Sequence, residues 1–313
     1  MEDHHLTKGV YTSLEDLIQM KFQAKGFNFF SKQPVNSLLS GRHASRLRGR
    51  GLDFEELRHY LPGDDTRTID WKATRRTGKP QVRVYSEEKE RPCLLVLDQR
   101  LSMFYGSKVE MKSVTAAKLT ALAAWRMVQS QDRAGCVVFN DSKLIHVKPR
   151  RSSKAVMQIL KTITGLNHEL GANKGIAPDK GMLDKALDTI TRRNPHDNII
   201  GIISDFNGVT EETHKQIRLL SRHNDVILFF IYDPTARKVP KKGSIVISDG
   251  EMQIMVEMGQ DKIQKKGPQI LLSRYEGLME RLSGYGVPVL PVTTTEDVAV
   301  QIRQLLGKKR IKL

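Results

Sequence analysis

Cysteine is scarce in this chain: Cys93 and Cys136 are the two among 313 residues. Each sits inside an apolar run, Cys-Leu-Leu-Val-Leu and Cys-Val-Val-Phe, and reads as a buried, reduced thiol packing as a small hydrophobe. That excludes a disulfide scaffold, and without nearby histidines the pair makes no zinc site. Long apolar runs are missing as well. The longest, Val226–Tyr232, is far below the roughly 18 residues that a membrane-spanning helix requires. The opening MEDHHLTKGVY has neither a basic n-region nor an apolar h-region, so no secretory leader is read there and cytoplasmic residence is expected. Aromatic residues make up only 6% of the chain and do not interleave with its basic stretches, which argues against a stacking surface for single-stranded nucleic acid.

Catalytic patterns are equally sparse. Thr77-Gly78-Lys79-Pro80 lacks the upstream glycine and the hydroxyl of a phosphate-binding loop. Gly49-Arg50-Gly51 fails as a dinucleotide fingerprint because Phe54 stands where the third glycine belongs. No G-x-S-x-G elbow occurs, and the nine histidines contain no i, i+4 pair and no H-E-x-x-H. A non-enzymatic protein is the expectation.

What the chain has in excess is positive charge, +16 at neutral pH. Part of it lies in separate clusters, Lys148–Arg151, Lys238–Lys242, Lys262–Lys266 and a basic tail at 308–313. Scattered clusters of this kind suit solvated faces or an acidic protein partner; a nucleic-acid or anionic-surface binder is the alternative function.

Apolar patterning predicts a short amphipathic helix after Ser13, with Leu14, Leu17, Ile18 and Phe22 at helical spacing. Residues 79–92 alternate as an exposed strand does. From Pro92 onward, strand-like runs (Leu94–Asp98, Ala134–Phe139, Leu144–Val147, Ile199–Asp205, Val226–Asp233, Val287–Val292) alternate with helical segments (Lys108–Gln131, Ser152–Ile163, Met182–Arg193, Glu211–Arg222, Glu296–Leu306). Continuous apolar strands separated by helices predict an α/β fold of the Rossmann type, with a mainly parallel sheet flanked by helices. Ser244–Gly259 reads as an inserted β-hairpin around Asp249-Gly250, added at an edge of that sheet.

The densest information lies between Gly41 and Gly78, where Arg42, Arg46, Arg48, Arg50, Arg58, Arg67, Arg75 and Arg76 alternate with acids. Pro62-Gly63-Asp64-Asp65 is a tight turn, with Pro presetting φ and Gly free to take positive φ. Arg58, Asp64, Arg67 and Asp70 are expected to form one paired network, since the arginine fork meets a carboxylate through two hydrogen bonds. Trp71 is expected to be largely buried. The string GRGLDFEELRHYLPGDDTRTIDWKATRRTG resembles the signature of the bacterial domain of unknown function 58 family. The resemblance implies that a von Willebrand factor type A (VWA)-like domain follows, and that the protein is a non-enzymatic partner of MoxR-type AAA+ ATPases, acting in assembly or maturation of a protein complex. The domain organisation expected is an N-terminal helix and arm at 1–34, a signature module at 35–92, the VWA-like domain at 93–307 and the tail.

The resemblance also implies where a cation would sit. VWA-like domains carry a metal-ion-dependent adhesion site at the C-terminal sheet edge, built from D-x-S-x-S, a Thr and an Asp, which suits Mg²⁺. Here the first loop reads Asp98-Gln99-Arg100-Leu101-Ser102, with Arg100 at the middle hydroxyl position. Lys180-Gly181-Met182 stand where the Thr belongs, while Asp205 matches the last acid. Asp98, Ser102 and Asp205 are thus the remaining ligand-type residues. The expectation is a degenerate site without bound metal, Arg100 pairing with both acids as a cation surrogate.

Overall fold

The computed structural model describes residues 9–25, 52–87, 92–171, 174–193, 195–234, 244–248, 253–257 and 261–307. Arg42, Arg46, Arg48 and Arg50, the Asp249-Gly250 turn, Lys238–Lys242 and the basic tail lie outside the described residues. The chain divides into two compact units, Asn36–Glu90 and the remainder, Met1–Val35 with Arg91–Leu313.

Helix α1 (Leu14–Gln23) opens the larger unit, and β1 (Leu52–His59), α2 (Trp71–Thr77) and β2 (Gln81–Glu87) make the smaller one. The larger unit continues with β3 (Cys93–Asp98), α3 (Lys112–Gln129), β4 (Ala134–Phe139), β5 (Leu144–Arg150), α4 (Ser153–Glu169), α5 (Met182–Thr191), β6 (Ile199–Ser204), α6 (Glu211–Ser221) and β7 (Asp225–Tyr232). It ends with β8 (Ser244–Ser248), β9 (Gln253–Glu257), α7 (Asp261–Leu282), β10 (Val289–Thr293) and α8 (Val298–Gly307).

Six strands form one sheet in the order β10-β7-β6-β3-β4-β5. All neighbours are parallel except β5, which returns antiparallel beside β4. The expected fold, a mainly parallel sheet flanked by helices, is what the structure shows. Every residue of β3, β4 and β6 is buried, because helices cover both faces and leave these strands no solvated side. On one face Leu17 of α1, Leu119 and Leu122 of α3, Ile159 and Ile163 of α4 and Ile302 of α8 join a core with Leu95 and Val138. On the other, Leu183 and Leu187 of α5, Ile217 of α6 and Leu282 of α7 pack with Val96, Ile202 and Leu228. Cys93 and Cys136 are free thiols within the first core, and burial pushes both above the ordinary thiol range.

Three local expectations need correction. The helix after Ser152 continues past Ile163 to Glu169 and takes in Gly165. Helix α7 was not apparent, because Asp261–Gln269 is rich in lysine and contains Gly267-Pro268. The hairpin β8–β9 forms its own two-stranded sheet rather than extending the large one.

In the smaller unit β1 and β2 pair antiparallel, with a register irregularity between Phe54 and Glu56. The expected four-residue network divides in two. Arg58 donates both terminal nitrogens to Asp64, at 2.7 Å each, and Asp64 also accepts from the Leu61 amide to close the turn at 2.8 Å. Gly63 holds that turn at φ +103°, a backbone region that disfavours side chains. Asp65 accepts from the Arg67 amide and caps the short 3₁₀ turn Thr66–Thr68. Asp70 is engaged elsewhere: it accepts from the amides of Lys72 and Ala73 as N-cap of α2, and from Arg83 of β2 at 2.9 Å. The Ala73 amide and the Arg83 guanidinium hold its carboxyl below the ordinary carboxylate range. The Arg67 side chain is exposed and contributes no pair to Asp70.

Trp71 is 70% exposed, against expectation. Helix α2 turns its small residues toward β2: Ala73 is buried and the Thr74 hydroxyl accepts from the Gln81 amide. The indole at the first helical position is left outside. Asp70→Ala, which removes the cap and the Arg83 pair together, is expected to lower the thermal midpoint of the smaller unit, read by near-ultraviolet circular dichroism; an unchanged midpoint would assign Asp70 to partner contact instead.

Candidate functional site

The chain leaves β3 for β4 on one side and later returns to β6 on the other, so the sheet's switch point lies beside the C-terminal end of β3. Ligand sites of doubly wound sheets form there. Asp98 ends β3, Ser204 ends β6 with Asp205 directly after it, and Lys180 lies just before α5.

Asp98 is fully buried and Arg100 is 3% exposed. The Arg100 guanidinium reaches back to Asp98 through Nε at 3.0 Å and Nη2 at 2.7 Å, and the Arg100 amide adds a third donor at 2.9 Å. Ser204 Oγ donates a further hydrogen bond to Asp98 at 2.6 Å. The outer guanidinium nitrogens donate to the carbonyl oxygens of Lys180 at 3.3 Å and Asn207 at 3.1 Å. One side chain thus fastens the loops after β3, before α5 and after β6. Burial opposes the charged guanidinium, but Asp98 beside it prevails and holds its pKa above the ordinary arginine range. Gly208 permits the close approach of the Lys180 segment: a Cβ there would lie 2.9 Å from Lys180 Cβ.

Asp205 has a different cation. Lys112, the first residue of α3, donates to it at 2.6 Å, Ser102 Oγ at 3.3 Å and the Asn207 amide at 3.0 Å. Arg274 of α7 donates to the Asp205 carbonyl and to Asn207 Oδ1. Burial alone would raise the Asp205 carboxyl, yet Lys112, Arg274 and Arg100 together hold it well below the usual carboxylate range. The expectation that Arg100 hydrogen-bonds both acids is therefore corrected: Arg100 takes Asp98, and Lys112 takes Asp205. Asp141 accepts from the amides of Leu101 and Asp179. Burial raises its pKa against those two hydrogen bonds.

These residues do not fit a divalent cation. Mg²⁺ needs an oxygen-lined, negatively charged cup, whereas the carboxylates of Asp98 and Asp205 are each neutralised by a basic side chain and Ser102 is turned onto Asp205. Among the described residues no group of three His, Cys, Asp or Glu side chains could hold a metal. Millimolar Mg²⁺ or Mn²⁺ is accordingly expected to leave the unfolding midpoint of the wild type unchanged, since a ligand stabilises only what it binds. A concentration-dependent upward shift would show that the ion displaces Arg100. Sequence reasoning missed Lys112, Arg274 and Ser204.

The uncharacterized protein Rv1480 of Mycobacterium tuberculosis (strain H37Rv) is 26% identical over 280 residues, 89% of this chain and 86% of that protein. The uncharacterized protein Mb1516 of Mycobacterium bovis matches to the same extent, 26% over 280 residues. Among solved structures, the conserved hypothetical protein BatB from Bacteroides thetaiotaomicron gives a TM-score of 0.41 at 13% identity, covering 69% of this chain and 97% of that one. The SpRpn10 VWA domain gives 0.36 at 7% identity, covering 72% and 100% respectively. Residues 56–267, which run from β1 across both site loops and into α7, match the family described as Protein of unknown function DUF58, and this chain belongs to that family.

Proposed function

We propose that this protein is a non-enzymatic, metal-independent interaction protein. In this reading its VWA-like domain works with a MoxR-type AAA+ ATPase during assembly or maturation of a protein complex. The observation that carries the reading is the Arg100–Asp98 pair, which with Lys112–Asp205 closes the sheet edge internally. Carboxylates so engaged are poor general bases and poor metal ligands, and loops pinned by buried charge pairs present a rigid surface. The ATPase partnership follows from the family resemblance carried by the 41–78 segment. It is tested by capturing the ATPase with the tagged full chain under ATP-trapping conditions and identifying it by mass spectrometry. Retention of a MoxR-type ATPase is expected; failure to retain any AAA+ protein would overturn the reading.

A further inference from the structure

The smaller unit carries a feature its fold does not use. Trp71 is exposed, and α2 places it on one stripe with Arg75, with Lys72 and Arg76 on the next. All four side chains are exposed. The acids of the neighbouring turns are committed within the unit, Asp64 to Arg58 and Asp70 to Arg83. Among the described residues no ion pair engages Lys72, Arg75 or Arg76. The inward side of α2 is filled by Ala73 and by the hydroxyls of Thr74 and Thr77, which bond to Gln81, Ala73 and Lys79. Among the described residues the indole fills no buried position, so their packing gives no reason for it to be there.

We infer that Trp71, Lys72, Arg75 and Arg76 form a docking face for an acidic protein surface that carries an apolar pocket for the indole. A Trp flanked by Arg is the composition of interface hot spots, where one buried aromatic anchors and the surrounding charges set orientation. Three cations that no described residue pairs favour an acidic counterpart. A single exposed indole is a poor platform for successive bases, which are held by several aromatic side chains along a groove. The inference rests on the proposed function for its partner: the acidic surface belongs to the AAA+ ATPase.

The test measures affinity of the purified ATPase, locked with a non-hydrolysable nucleotide, for the full-length wild type, for Trp71→Ala and for Arg75→Glu/Arg76→Glu. Amide-exchange protection of the paired strands β1 and β2 reports that the smaller unit of each variant is folded. A single-stranded oligonucleotide serves as the competing probe at low salt. Each variant is expected to weaken ATPase binding by about 30-fold, the loss typical of a truncated hot spot. Undiminished binding by both folded variants would overturn the docking face while leaving the ATPase partnership standing. No binding by the wild type would overturn the partnership and the face with it. Oligonucleotide binding that is lost in Trp71→Ala would reassign the face to nucleic acid.

Discussion

Replacing Arg100 by leucine is expected to destabilise the larger unit by about 3–5 kcal/mol, the cost of removing one partner from a buried ion pair. Against a total of about 5–15 kcal/mol for a typical domain, that is enough to populate unfolded chain at physiological temperature. Asp98 would keep only neutral donors, Ser204 Oγ and the residue-100 amide, in a position with no access to water. The loops held through the Lys180 and Asn207 carbonyls would lose their common fastening. The double variant Asp98→Leu/Arg100→Met should recover much of the loss, because an apolar pair can replace a buried ion pair at little cost. Denaturant unfolding of the single and double variants measures this directly. An Arg100→Leu protein as stable as wild type would show that the Arg100–Asp98 pair does not hold the fold.

The second large effect concerns Lys112 and pH. Asp205 has a depressed folded pKa, so its contribution to stability is present above the unfolded carboxylate value of about 3.9 and is lost as pH falls toward the folded value. Lys112→Met removes the nearest cation, leaving Arg274 and Arg100 to act from farther away. The carboxyl pKa should rise toward or past its unfolded value as burial gains the upper hand. Stability near pH 7 is expected to fall by about 3 kcal/mol, as for a broken buried pair, and the difference from the wild type should shrink only as pH falls below the unfolded carboxylate value toward the folded one. Midpoints measured downward from pH 7 should therefore drop more steeply at the acid end in the wild type than in the variant. Parallel pH profiles would show that Lys112 does not set the charge of Asp205.

Several of these features can be read from the residue order. The runs Cys93–Asp98, Ala134–Phe139 and Ile199–Ser204 are apolar without alternation, and only strands covered on both faces satisfy that pattern. Arg100 was legible because it stands two residues after a strand-ending acid, within reach of its own neighbour. Gly63 and Asp64 announced their turn, and Ser13 with Asp16 its helix cap, since each acts over at most a few residues. Arg83 as the partner of Asp70 was not legible, because it depends on the pairing of β1, α2 and β2.

The identity of the cations facing Asp205 came from assembly of the fold. Lys112 and Arg274 are separated from Asp205 by 93 and 69 residues and meet it because α3 and α7 pack on opposite faces of one sheet and converge on its edge. Local patterning carries no information at such separations. Trp71 shows the same limit from the other direction: size and apolarity argue for burial, but the helical register set by the Asp70 cap turns Ala73 inward and the indole to solvent. Strand and helix identity rests on hydrophobic period and short-range capping, which the order of residues contains; charge partners and exposure rest on which faces pack together, which exists only once the sheet has closed between its helices.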